Sequence, residues 1–97
     1  MTKADIVERI AEGVGLTKLE TQAVIDGFLA IVKYALQKHQ RVDLRGFGNF
    51  VVVQRKARVA RNPGTNEEVR VPPRYAVVFK PSQELKELIN KEDDTIG

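Results

Sequence analysis

The chain has no cysteine and no tryptophan, and it holds one histidine and one methionine among its 97 residues. Without cysteine there is no disulfide framework and no thiolate metal site, so a chain this short must be stabilised by side-chain contacts or by association with another copy. His39 and Ser82 are the sole residues of their types, too few to build a Ser-His or Cys-His nucleophile system. The expectation is a non-enzymatic protein with no cofactor and no metal. Gly46-Phe47-Gly48 follows a strand pattern, yet no helix pattern opens after it as a dinucleotide-binding loop requires. The run Glu92-Asp93-Asp94 reads as solvated acids rather than as metal ligands. No apolar run reaches the roughly 18 residues of a membrane span, and the N-terminal stretch is charged and amphipathic where a secretion signal is apolar. These absences predict a cytoplasmic protein of one small domain.

What is present is positive charge in one place. Sixteen Lys and Arg against 13 Asp and Glu leave a formal net charge of +3. Residues 1–40 are neutral, 41–54 carry +1, 55–80 carry +5 and 81–97 carry −3. Cations gathered in one segment read as a polyanion-binding surface.

The apolar pattern begins with period 3.6. Thr2 with Asp5, and Thr17 with Glu20, have the spacing of capping boxes, and each precedes an amphipathic run. The first run, Ile6, Val7, Ile10, Ala11 and Val14, is stopped by Gly13 and Gly15. The second extends to near His39. Its seam of Ile25, Leu29, Val32 and Leu36 is widened by Val24, Phe28, Ile31 and Ala35 beyond the ~100° stripe that one surface-lying helix needs. A helix so apolar must be covered on more than one side, which predicts a dimer with a shared core. From Arg41 the period becomes two, a β-hairpin through Gly46-Phe47-Gly48 to Val53. Tyr75–Phe79 resumes the strand pattern, and Ser82 caps a last short helix that places Leu85, Leu88 and Ile89 on one face. An acidic tail, 91–97, follows.

Between these strands, residues 55–74 are cations interleaved with small or β-branched residues around the turn Asn62-Pro63-Gly64-Thr65-Asn66. Apolar alternation is too thin for a buried sheet, and Pro72 and Pro73 cannot donate to a ladder. A projecting two-stranded ribbon is predicted, with strands of roughly ten residues and a length of about 30 Å at ~3.3 Å per residue. Arg55, Lys56, Arg58, Arg61, Arg70 and Arg74 on such an arm can straddle phosphates and lie in a minor groove, whose negative potential is deepest in A·T-rich sequence. Pro63 at the tip is either turn geometry or an apolar wedge.

Arg45-Gly46-Phe47-Gly48-Asn49-Phe50-Val51 also looks like a signature of single-strand RNA-binding sheets, which stack bases on two aromatics of one strand face. Phe47 and Phe50 are three apart and would point to opposite faces of a regular strand, so a core role for both is the expectation.

Gly46-Phe47-Gly48-Asn49-Phe50, Arg58-Val59-Ala60-Arg61-Asn62-Pro63 and Val78-Phe79-Lys80-Pro81 with Leu85-Lys86 together resemble the HU and integration host factor family of bacterial architectural DNA-binding proteins. The likeness covers about residues 1–90 in order and spacing. It implies an α+β fold: two N-terminal helices, a three-stranded antiparallel sheet with a long β-ribbon arm and a short C-terminal helix, assembled as an intertwined dimer, homotypic or with a related subunit. It also implies arms that embrace double-stranded DNA, with Arg55, Arg58, Arg61 and Asn62 lining the minor groove and Pro63 inserting between base pairs. Flank phosphates would fall on Lys3, on the Gly46 to Gly48 turn, on Lys80 and on the helix start at Ser82. Ser82-Gln83 stands where the family has Gly-Lys, which removes a flank cation. Asn66 stands where the tip turn has glycine, and asparagine can still adopt positive φ. Asp43-Leu44-Arg45 resembles the β subunit of integration host factor more than HU, and the resemblance implies that Arg45, held by its acidic neighbour, senses the preferred site. An Asp43–Arg45 pair on one strand face is the plain structural alternative. The overall expectation is a nucleoid-associated protein that bends or compacts DNA in support of recombination, replication and transcription. An RNA-binding module and a ribbon used only for assembly are the rival readings.

Overall fold

A computed structural model of the chain describes residues 1–91, and the tail predicted at 91–97 therefore lies, beyond Lys91, outside the described residues. Helix α1 spans Lys3–Val14 and α2 spans Lys18–Gln37. Both start as predicted. Thr2 Oγ1 accepts from the Asp5 amide at 3.3 Å while Asp5 Oδ2 accepts from the Thr2 amide at 2.8 Å. Thr17 Oγ1 likewise accepts from the Glu20 amide at 3.1 Å, and Glu20 Oε1 accepts from the Thr17 amide at 3.3 Å. Each such cap stabilises its helix by about 1 kcal/mol. Helix α1 runs through Gly13, and Gly15 at φ 74° ends it, its N–H bonded to the Ala11 carbonyl. Helix α2 ends without glycine. His39 takes φ 59°, and the His39 and Gln40 amides bond back to Leu36 and Ala35, a Schellman closure. The imidazole packs on the Tyr75 ring at 4.2 Å.

The two helices meet over Val7, Ala11 and Thr21, the buried side chains among the described residues. The Thr21 hydroxyl is satisfied there by donating to the Thr17 carbonyl at 2.9 Å. That core is small for a chain of this length. On α2 the seam residues Ile25, Val32 and Leu36, with Ala35 beside them, are half-buried and Leu29 is just exposed, whereas Val24 and Ile31 on the widened stripe stand 66% and 71% exposed. One copy of the chain leaves this face, and Leu88 and Ile89, uncovered.

Strands β1 (Val42–Leu44), β2 (Gly48–Arg55) and β5 (Arg74–Pro81) form an antiparallel sheet in the order β1-β2-β5. Gly46, at φ 84°, makes the turn between β1 and β2. A Cβ on Gly48 would stand 2.5 Å from the Lys80 carbonyl oxygen and 2.7 Å from the Phe79 ring, so this position admits only glycine without a shift of backbone. Helix α3 (Gln83–Asn90) starts at Ser82, whose Oγ accepts from the Leu85 amide and whose own amide bonds to the Phe47 carbonyl.

The ribbon is a separate sheet of β3 (Arg58–Arg61) and β4 (Glu68–Val71). Its strands pair over four residues rather than the predicted ten. The β2–β5 ladder ends at Arg55↔Arg74 and the β3–β4 ladder begins at Arg58↔Val71 in the same register. Lys56 and Ala57 therefore face Pro73 and Pro72. Two prolines supply no N–H, and the ladder lapses where they stand. The arm still projects: the radius of gyration is 19.1 Å, against about 12.5 Å for a compact domain of this length.

Candidate nucleic-acid interface

Directly opposed residues of an antiparallel ladder share a face, and faces alternate along each strand. In β3–β4 this puts Arg58 with Ala60, Val69 and Val71 on one face, and Arg61 with Val59, Glu68 and Arg70 on the other. The arm thus presents cations on both sides instead of a single basic stripe. At its root Arg55, Lys56, Arg58 and Arg74 converge with Val71 and Pro72 around a cleft of about 390 Å³. A second hollow of about 440 Å³ lies against Ala57, Arg58, Val59, Arg70, Val71 and Pro72. Arg55, Lys56, Arg58, Arg70 and Arg74, the five cations of the root, are all exposed, and none of them is in an ion pair among the described residues. Every charge at the root is free to meet an external anion.

The tip is organised differently. The Asn62 amide donates to the Glu67 carbonyl at 2.8 Å, and the Asn66 amide donates to the Asn62 carbonyl at 2.7 Å. Asn62 Oδ1 accepts from the Gly64 amide at 2.9 Å, an Asx turn that fixes the chain on both sides of Pro63. Asn66 takes φ 61°, so it fulfils the glycine-like role expected of it. Pro63 stands exposed at the end of this closed loop.

On the body, Arg41, Asp43, Leu44, Arg45, Gly46, Gly48, Asn49 and Ser82 line a groove of about 370 Å³. Arg45 lies in the turn that follows β1, and Asp43 Oδ1 instead accepts from Arg41 Nε at 2.8 Å. The expected Asp43–Arg45 pair is absent: Arg45 belongs to the turn after β1, and the Asp43 carboxylate is taken by Arg41, the residue just before the strand. Arg41 is the groove residue that pattern reading passed over; its spacing of two from Asp43, just before β1, was the available signal. Lys3, a predicted phosphate ligand, has its Nζ 2.8 Å from Asp26 Oδ1, and that contact holds the Asp26 carboxyl below the usual carboxylate range. The Thr17 hydroxyl and amide lower Glu20 in the same way. Glu84 brings a carboxylate over the Gly46 turn, 3.1 Å from where a Cβ would stand. The flank therefore has fewer free cations than the arm root, although Lys80 remains exposed beside it.

Phe47 and Phe50 both pack on Phe79, at 5.1 and 4.9 Å between ring centroids. Opposite faces were expected, but Phe47 belongs to the turn and escapes strand alternation. The core role expected of both is met only in part, since Phe50 is half-buried and Phe47 stands 46% exposed in one copy of the chain; each ring is engaged with Phe79 rather than paired side by side on one strand face, and the RNA-binding reading loses its support.

A helical base bearing a cationic β-ribbon, with a closed proline turn at its tip, defines a polyanion-binding architecture. The sequence profile described as "Bacterial DNA-binding protein" matches residues 1–90, and the chain belongs to that family. An integration host factor subunit alpha from Anaeromyxobacter sp. (strain Fw109-5) is 41% identical over 93 residues, covering 96% of this chain and 94% of that one. A DNA-binding protein HU from Thermus thermophilus is 42% identical over 91 residues, 94% of each chain. Among solved structures, an Anabaena HU–DNA cocrystal structure superposes with a TM-score of 0.87 at 33% identity, covering 95% of this chain and all of that one. HU from Thermotoga maritima gives 0.65 at 28% identity, covering 93% of this chain and all of that one. These relatives carry the names of α subunits and of HU, so the likeness to a β subunit rests on Asp43-Leu44-Arg45 alone.

Proposed function

We propose that residues 1–90 act as one DNA-binding unit that dimerises, grips double-stranded DNA with its arms and bends it. The observation that carries this reading is the arm root. Five cations without internal partners flank a gap in the ladder, on a ribbon whose ends and edges are open to solvent. Such a surface is costly in isolation and well matched to a polyphosphate backbone. The HU relative named in a DNA cocrystal superposes over nearly the whole chain. Arg55, Lys56, Arg58, Arg70 and Arg74 anchor to phosphates; Arg61, Asn62 and Pro63 meet the minor groove, with Pro63 as the wedge. Arg45, Gly46, Gly48, Lys80 and Ser82 form the flank contact, and Lys3 joins it when it leaves Asp26. The exposed stripe of α2 and the apolar residues of α3 are the dimer surface, covered by a second copy or by a related subunit. The protein acts at the nucleoid, shaping DNA for its transactions.

Sedimentation of the free chain tests the dimer, which should show twice the chain mass. A duplex labelled at both ends tests the rest. Energy transfer between the labels should rise on binding, and binding should weaken steeply with salt. A monomer in solution, or binding without a change in transfer, contradicts the reading.

A further inference from the structure

The tip of the arm carries charge of the wrong sign for a surface that meets phosphates. Residues 61–68 hold one cation, Arg61, and two acids, Glu67 and Glu68. Arg61 and Glu68 are directly opposed in the β3–β4 register and share a face. Arg61 Nη2 lies 3.9 Å from Glu68 Oε1, while Arg61 Nη1 donates to Asn66 Oδ1 at 3.3 Å. Both terminal nitrogens of the guanidinium thus face acceptors belonging to the tip itself. Glu67 contributes its main chain to the turn, through its carbonyl to Asn62 and its amide to Thr65 Oγ1, and its carboxylate is in no ion pair among the described residues.

We infer that Glu68 is a specificity-determining residue: by restraining Arg61 against the tip turn, it makes the arm respond to how readily a duplex opens to Pro63 rather than to the potential of its minor groove. The inference rests on the DNA reading above. An exposed ion pair is weak and does not prevent Arg61 from leaving. It sets what the groove must offer in exchange. Glu68 itself remains beside the groove and is repelled most where the potential is most negative, in narrow A·T tracts. Both effects flatten a preference for such tracts that an unrestrained Arg61 would confer.

Glu68→Gln and Glu67→Gln, made separately in the full chain, test this against an A·T-tract duplex and a G·C duplex of equal length over a range of salt. Glu68→Gln should steepen the log–log salt dependence by up to about 2, the limit at which Arg61 of each of two arms neutralises one further phosphate at ~0.9 each. It should also raise the A·T to G·C affinity ratio by a factor on the order of 3 or more. Glu67→Gln should move both quantities by less than half as much. Equal shifts in the two variants would show that net charge alone acts, and no shift in Glu68→Gln would show that Arg61 is not restrained; either result overturns the inference. Side-chain relaxation of Arg61 Nε in the free protein is a readout that needs no DNA. Glu68→Gln should mobilise it and Glu67→Gln should not. Failure of the unmodified chain to bind any duplex would sink the DNA reading, whereas normal binding with an unchanged Arg61 signal would sink the role of Glu68 alone.

Discussion

The root and the tip of the arm share one ribbon and one register, yet they are built by opposite means. The root, 55–59 with 70–74, has five cations and no acid, and its ladder lapses opposite two prolines. The tip has one cation and two acids, and its backbone is closed by hydrogen bonds on both sides of Pro63. Charge sits where the backbone is least constrained, and constraint sits where favourable charge is lacking. Phosphates are regularly spaced and can be met by long side chains on an adaptable support. A wedge between base pairs must instead arrive in one orientation, so its turn has to be preformed. On the proposed reading, the difference separates two duties, affinity at the root and deformation at the tip.

The largest test of that separation removes the root. Replacing Arg55, Arg58 and Arg74 together by Ala should lower the log–log salt slope by about 5, three phosphates on each of two arms at ~0.9 each, with Arg58→Ala alone giving about 2. Whatever complex remains at low salt should keep its bend; a slope that does not change would mean the root cations never touch the backbone. A smaller effect is expected from restoring the ladder. Pro72→Ala with Pro73→Val supplies two amides, and the unbroken register allows β2–β5 and β3–β4 to join. Amide exchange through 55–58 should slow, by about 1 kcal/mol of protection for each hydrogen bond gained. Unaltered exchange would show that something other than the prolines breaks the pairing. The smallest effect lies off the arm altogether. Asp26 and Glu20 have carboxyls lowered by Lys3 and by Thr17, so the stability they contribute is present above the carboxylate range and is lost as pH falls through their folded values. The melting temperature should therefore decline more gently below about pH 4 in Asp26→Asn and Glu20→Gln than in the unmodified chain. The geometry of the arm should be indifferent to either substitution, as fluorescence from a label at the tip can report.

Much of the base was legible because its signals are local. A capping box needs only residues three apart, and Thr2 with Asp5, Thr17 with Glu20, and Ser82 as a cap were all visible as spacing. The wide apolar stripe of α2 was legible too, since Val24 and Ile31 exceed what one neighbour can cover. The arm announced itself through turn residues and charge, and Asn66 was readable as a stand-in for glycine. Tertiary pairings were not legible. Lys3 and Asp26 are far apart in sequence, and only the approach of α1 to α2 brings them together. Asp43 has a cation two residues away on either side, Arg41 and Arg45, each just outside β1, so spacing alone did not choose between them. The Phe47 ring left the strand pattern because it lies in the turn before β2, and strand ends are set by the whole sheet. Pro72 and Pro73 were visible as breakers, but that they split one register into two ladders depended on the partner strand. At the tip, the cross-strand meeting of Arg61 and Glu68 needed the register to become apparent.

The division of labour is tested most directly by Pro63→Ala, with energy transfer across a doubly labelled duplex and the salt slope measured on the same complex. The division of labour predicts that the transfer falls toward that of free DNA while the slope stays that of the unmodified chain. A bend that survives the substitution, or a slope that falls with it, would contradict the assignment of bending to the tip and of affinity to the root.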